Sequence, residues 1–261
     1  MPDRLDLAII VPSRHRPHNM PAIRRLLPSA TVCVDEREVD DYALVVPRDR
    51  LLAHPPMDGF AVVCNWIMDA VAAEILCFVV DDLIRVLVLT GWRRSGRGAV
   101  ITEADTILGI IENAARAALD IGASTFAFSR TANATMLRPA ERPLRPVAIL
   151  SNVFGIMGSA RHRKMDPRFA GRNAIELSLR TLLEDRFGYA DCRFYFDCGP
   201  IFAGRGGNVG LVTAARWAES TRALKETYGK HVGLKRVAID GRGKIDTMRI
   251  RVSRANARAQ R

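Results

Sequence analysis

The sequence lacks paired cysteines. Cys33, Cys64, Cys77, Cys192 and Cys198 are odd in number, scattered, and form no C-x-x-C motif. That argues against a disulfide scaffold or a zinc ribbon and for a reducing, cytoplasmic compartment. It also lacks any apolar run of the roughly 18–20 residues a membrane span needs. The longest, around residues 70–80, is broken by Glu74 and ends on Asp81. Met1–Asp6 leads directly into a strand-like segment, so no signal peptide is expected. No H-E-x-x-H motif joins the scattered histidines, and no internal repeat or clean linker divides the 261 residues. A chain of this length can bury a sizeable core as one domain.

What is abundant is positive charge. The chain carries 39 Lys and Arg against 28 Asp and Glu, a net charge of +11. The excess is concentrated at the end, where residues 230–261 hold ten Lys and Arg against two Asp. Such a basic segment suits a polyanionic partner, with nucleic acid the first candidate, and equally a solubilising tail.

The hydrophobic pattern alternates between strand and helix. Leu7–Val11, Thr31–Val34 and Ile75–Val80 read as strands, and Tyr42–Val46 as a further one. Pro21–Leu27 and Val62–Ala73 read as helices between them. Ile75–Val80 is apolar at every position, as expected of a central parallel strand buried on both faces. Further on, Val86–Thr90 leads to a turn at Arg93–Gly98, and a helix runs from Thr102 or Glu103 to about Ile121. Thr125–Phe128 and Cys192–Phe196 read as strands, Asn173–Glu184 and Thr213–Tyr228 as helices, and Asp246–Val252 as a last strand. This order predicts an α/β fold with a mostly parallel central sheet flanked by helices.

Three constellations carry chemistry. Asp81-Asp82 follows the most buried strand, at the edge where open α/β sheets bind ligands. Adjacent carboxylates there suit Mg2+ or Mn2+ bridging to a diphosphate. The loop Pro12-Ser13-Arg14-His15-Arg16 follows the first strand and can meet a base, ribose or phosphate; Asp35, Glu36 and Glu38 follow the second. Gly204, Gly206, Gly207 and Gly210 lie too late, and at the wrong spacing, for a dinucleotide fingerprint. With Arg205 they still suit a phosphate-cradling loop. His231, just after a helix in the basic segment, is the one histidine retained as a candidate ligand.

Several short motifs, in order, resemble the TET-associated glycosyltransferases, many of them encoded by bacteriophages. They are Val11-Pro-Ser-Arg-His-Arg-Pro17, Glu38-x-x-x-Tyr42, Cys64-Asn65-Trp66-Ile67, Val80-Asp81-Asp82-Leu83-Ile84, Lys164-Met165-Asp166-Pro-Arg-Phe169, Ile175-Glu176-Leu-Ser-Leu179 and Gly206-Gly207-Asn208. The resemblance implies a GT-A fold over residues 1–230, with 231–261 packing on it as a basic strand and tail. It implies transfer of a sugar from a nucleotide-sugar, a UDP-sugar first, to the hydroxyl of a hydroxymethylated pyrimidine in DNA. By the same resemblance Asp81 and Asp82 would hold a divalent metal, with His231 added as a candidate ligand on its position alone. Pro12, Ser13, Arg14, Arg16, Asp35, Asn65, Asp81, Arg205, Gly206 and Gly207 would line the donor, with Lys235 or Arg236 assisting.

The acceptor side falls to Glu176, Asn173 and Asp166. Here the sequence departs from the family: Cys64 stands where an Arg is usual, and Asn173-Ala174 where Glu-Asp is usual. A neutral amide cannot act as a base, which leaves Glu176 or Asp166. An Asp at 173 is expected to fold normally and to supply the missing carboxylate. A small-molecule or polysaccharide acceptor, a metal-dependent nucleotidyltransferase, and a non-catalytic DNA-binding protein on a transferase scaffold stay open as alternatives.

Overall fold

A computed structural model of the chain describes residues 5–89, 99–132, 144–145, 150–198, 207, 213–239 and 243–250, the last two stretches by backbone alone from residue 234. Its centre is an eight-stranded mixed sheet in the order β3-β2-β1-β4-β9-β7-β10-β8. The strands are β1 (Leu7–Pro12), β2 (Thr31–Asp35), β3 (Leu51–His54), β4 (Ile75–Val79), β7 (Thr125–Phe128), β8 (Leu144–Arg145), β9 (Val153–Met157) and β10 (Tyr189–Asp191). The first four are parallel neighbours; β9 runs antiparallel between β4 and β7, and β8 antiparallel at the far edge.

Period-two alternation explains why the central strands are apolar throughout. Ile9 and Val11 of β1, with Ile75, Cys77 and Val79 of β4, pack into one core layer. That layer holds helices α1 (Met20–Leu26) and α4 (Ala104–Asp120). Ile10, Leu76 and Phe78 face the opposite layer, against α3 (Phe60–Ala70) and α5 (Asn173–Glu184). α4 buries Ile107, Ile110, Ile111, Ala114, Ala115 and Ala118, a helical stripe matched to the sheet. At Gly155 of β9 a Cβ would sit 1.8 Å from the ring of its cross-strand partner Phe126, so this position admits no side chain.

A smaller antiparallel sheet, β11-β5-β6, stands beside the main one; its strands are β5 (Arg85–Val88), β6 (Ala99–Ile101) and β11 (Phe194–Asp197). Helix α6 (Ala214–Tyr228) docks through Ser220, which donates to the carbonyl of Ala170 at 2.9 Å, and through Trp217 under the Arg172 guanidinium. The chain then forms a separate two-stranded ribbon, β12 (Val232–Ile239) with β13 (Gly243–Ile250).

Most expected elements are present, and the differences have local causes. Tyr42–Val46 is not a strand: Val39–Ala43 is a short helix, α2, which buries Tyr42 and leaves Asp40 and Asp41 outside. The expected Cys192–Phe196 strand starts two residues late: Cys192-Arg193 is the turn out of β10, and Phe194–Asp197 is β11, in a different sheet. β3, β8, β9, β10 and β12 were not foreseen, while β6 pairs antiparallel with β5 as a hairpin after Val86–Thr90 requires. The turn at Arg93–Gly98 lies outside the described residues, as do Arg251 and Val252.

Candidate active site

Parallel pairing places two loops side by side. Ile10 of β1 lies opposite Phe78 of β4, so both strands end at the same edge, and the Ser13–Arg16 loop meets Asp81-Asp82. The Ser13 hydroxyl donates to Asp81 Oδ2 at 2.9 Å and lies 2.6 Å from the Tyr42 hydroxyl. The Arg16 backbone N–H donates to the same Tyr42 oxygen at 3.0 Å, so Tyr42 donates onward to Ser13. Arg16 Nη1 donates to Asp81 Oδ1 at 2.7 Å and stands 3.6 Å from Asp82 Oδ2. Asn19 holds the Asp81 carbonyl at 2.9 Å.

The loop itself is tightly fixed. His15 adopts φ +56°, and its N–H donates to the buried Glu38 at 2.7 Å. Gly207 closes over the loop: its N–H donates to the Arg14 carbonyl at 2.8 Å. With φ +58°, a Cβ at 207 would be strained, and it would lie 2.9 Å from Arg16 Cζ.

Burial and charge are distributed unequally over these groups. Burial, reinforced by the charge of Asp81, pushes the Asp82 carboxyl up to about 6, although its side chain is still 32% exposed. Burial pushes the Tyr42 hydroxyl up to about 12. Arg37 forks onto Asp35 at 2.8 and 2.6 Å and holds that carboxyl down to about 2. Arg14 pairs with Asp58 at 2.8 Å. Arg205 and Gly206 lie outside the described residues, and nothing is described of the Lys235 and Arg236 side chains.

The donor set at Asp81-Asp82 is hard oxygen, the chemistry Mg2+ and Mn2+ prefer, and a guanidinium cation already sits against it. Those residues fit a divalent ion. Among the described residues no three His, Cys, Asp or Glu side chains gather as a metal-holding set, so His231 does not join the two aspartates in this structure.

Asn65 and Cys64 are engaged by the packing of α3. Asn65 donates to the Met165 carbonyl at 2.8 Å and accepts from the Met165 N–H at 2.7 Å, fastening α3 to the segment that carries Asp166. Cys64 is fully buried in the α3 core layer, where burial pushes its thiol well above the ordinary range. An Arg at 64 would have no water to reach from that position.

Glu176, Asn173 and Asp166 do come together in a second cluster, with Glu176 and Asn173 buried and Asp166 at its open edge. Glu176 is 3% exposed. Its Oε1 accepts from the Tyr228 hydroxyl at 2.6 Å and its Oε2 from Arg180 at 3.2 Å. Burial raises its pKa despite both partners. Arg168 forks onto Asp166 at 2.9 and 2.6 Å and lowers its pKa.

Asn173 is the first residue of α5, with Arg172 as the cap, and its Nδ2 donates to the Asp166 carbonyl at 2.7 Å. The expectation that an Asp would be harmless at 173 is therefore corrected. A buried carboxylate would replace one of the two donors on that carbonyl, leaving the Phe169 N–H at 3.1 Å, and would set like partial charges together. Tyr228 and Arg180 were not foreseen; nothing local in the sequence marks a tyrosine 52 residues away as a partner of Glu176.

No family model matches the chain, and no curated protein does. Solved structures do share its fold. A mannosyltransferase from Pyrobaculum calidifontis, in complex with GDP-Man and Mn2+, superposes with a TM-score of 0.52 at 12% identity, over 88% of this chain and 76% of that one. A glucosyl-3-phosphoglycerate synthase from Mycobacterium tuberculosis, in complex with Mg2+ and UDP, gives 0.51 at 12% identity over 94% and 87%. The same enzyme with Mn2+, UDP and phosphoglyceric acid gives 0.51 over 94% and 86%. At this identity the likeness establishes the fold: a mixed α/β domain of the kind built by these GT-A-type glycosyltransferases.

Proposed function

We propose that the protein is a nucleotide-sugar-dependent glycosyltransferase that moves a sugar onto the hydroxyl of a hydroxymethylated pyrimidine in DNA. The observation that carries the donor half is the acid pair Asp81-Asp82, set at the carboxyl edge of β4 against the Ser13–Arg16 loop. Support comes from the solved relatives of the fold, which hold Mn2+ or Mg2+ with GDP-Man or UDP. Asp81 and Asp82 would hold the ion, which supplies positive charge to the diphosphate leaving group. Ser13 and Tyr42 fix the Asp81 carboxylate in one orientation, so no reorganisation accompanies charge development there.

On the acceptor side Glu176 is the carboxylate with raised basicity, covered in this state by Tyr228. Asp166 is held acidic by Arg168, and the Asn173 amide is engaged with a carbonyl. DNA as acceptor is supported by the family resemblance and by the basic segment 230–261. A second acceptor class, a small phosphorylated hydroxy acid, is favoured by the relative solved with phosphoglyceric acid.

The test is incubation with hydroxymethylcytosine- and hydroxymethyluracil-containing DNA, or with 3-phosphoglycerate, plus a panel of nucleotide-sugars and Mn2+. Products are read by nucleoside or small-molecule mass. A hexose-sized mass gain on a DNA nucleoside is the expected result. Gain on the small acid alone would replace the acceptor assignment, and donor turnover with neither would overturn it.

A further inference from the structure

Arg16 stands between the acid pair and Gly207, and its side chain is nearly fully buried. Its guanidinium is 2.7 Å from Asp81 and 3.6 Å from Asp82, and its side chain is 8% exposed. Its backbone is pinned by Tyr42, and its loop by the contact of His15 with Glu38. Gly207 lies so close over the guanidinium that even a methyl group would collide with it. An exposed arginine would yield to an arriving cation at little cost, because surface pairs are weak. This one is buried, oriented by Asp81, and covered by Gly207.

We infer that Arg16 is the built-in counter-ion of Asp81-Asp82, and that it makes divalent-cation binding at this pair depend on the donor's diphosphate. The inference rests on the donor-site reading given above. Without ligand, one guanidinium offsets one of the two carboxylate charges, and both Asp81 oxygens are engaged, by Ser13 and Arg16. A bare divalent ion meets a site with a net charge of about −1 and a fixed cation within it. The mutual repulsion of that ion and a guanidinium a few ångströms apart weakens binding by at least about tenfold, even in a water-like dielectric. A nucleoside diphosphate brings the missing negative charge, so metal and donor enter together. Because coupling is reciprocal, the nucleotide also binds more tightly with the metal, by the same factor. Arg16 is thus a positioning residue acting through Asp81, and its effect is to keep the acid pair from loading with free metal.

The test is Mn2+ binding, by electron paramagnetic resonance or calorimetry, to wild type, Arg16→Gln and Arg16→Lys, each with and without UDP or GDP. Wild type is expected to bind Mn2+ at least about tenfold more tightly with nucleotide than without. Arg16→Gln keeps a hydrogen bond donor but no charge, and is expected to bind Mn2+ alone at least about tenfold more tightly than wild type, with a reduced nucleotide effect. Arg16→Lys restores the charge and is expected to behave as wild type. Adding Asp81→Asn to Arg16→Gln should abolish the gain, which localises it. A folded Arg16→Gln with wild-type Mn2+ affinity overturns the inference. If that variant does not fold, equal Mn2+ affinity of wild type with and without nucleotide overturns it. Binding of no nucleoside diphosphate by any variant would defeat the donor reading and the coupling with it, while the Mn2+-only comparison still decides whether Arg16 is the counter-ion.

Discussion

Two carboxylate clusters, each with an arginine, divide this molecule. At the edge of β4, Asp81 and Asp82 share Arg16 where loops meet and Asp82 keeps a third of its surface open. On α5, Glu176 shares Arg180 and Tyr228 inside the protein, with almost no surface left. The residue types are nearly the same; the setting differs. Strand ends in a parallel sheet deliver carboxylates to a crevice, where an arriving ion can reach them. A helix packed under α6 delivers its carboxylate to a place that Tyr228 covers and must uncover before an acceptor hydroxyl can reach it. The first cluster suits metal and phosphate, the second a proton acceptor that works only once opened.

The comparison can be broken by removing one charge from each cluster. Asp81→Asn takes away a carboxylate that Ser13 and Arg16 hold in place, and is expected to lower sugar transfer by about 10³-fold. Steady-state rates with a saturating nucleotide-sugar measure it, and a loss below about tenfold would remove the pair from the chemistry.

Glu176→Gln is expected to lower transfer by about 10²-fold, the lower end for a positioned proton acceptor. An unchanged rate would make the second cluster purely structural. The same variant carries a pH signature. Burial raises the folded-state pKa of Glu176, so wild type loses stability as pH rises from the ordinary carboxylate value through that raised value. Glu176→Gln does not titrate. Its melting temperature relative to wild type should therefore be more favourable at pH 7.5 than at pH 4.5, and a reversed order would contradict the burial argument.

Smaller effects sharpen the picture. Truncation after Val252 removes Arg254, Arg258 and Arg261. If these arginines touch phosphate, the slope of log K against log salt for DNA binding falls by roughly one to three units. An unchanged slope assigns them to solubility. Asn173→Asp is expected to cost about 0.5–1.5 kcal/mol, through the loss of one of the two donors to the Asp166 carbonyl, and to leave the rate where it was. A stable variant with faster transfer would restore position 173 as the missing base.

The acid pair and its strand were legible because Ile75–Val79 is apolar at every position and the charge change after it is abrupt. The span of α5 was legible from Ile175, Leu179 and Leu182 on one face. α2 was not, because five residues make little more than one turn, and Tyr-Ala-Leu-Val-Val also satisfies a strand. Nor were β3 and β12: one is four residues long and the other interrupts its apolar run with Lys235-Arg236. The occupation of Asn65 by the Met165 backbone, 100 residues away, is set by packing of α3. Arg16 was legible as a cation near phosphate, but not as the partner of Asp81, since that needs the β1–β4 register.

The most direct measurement is calorimetry of UDP and GDP with Mn2+, with a chelator, and on Asp82→Ala. The account predicts that at least one nucleotide binds wild type with Mn2+, at least about tenfold more weakly in chelator, and more weakly to Asp82→Ala. Equal affinity in chelator, or unchanged binding by Asp82→Ala, would contradict the assignment of Asp81-Asp82 as the metal–diphosphate site.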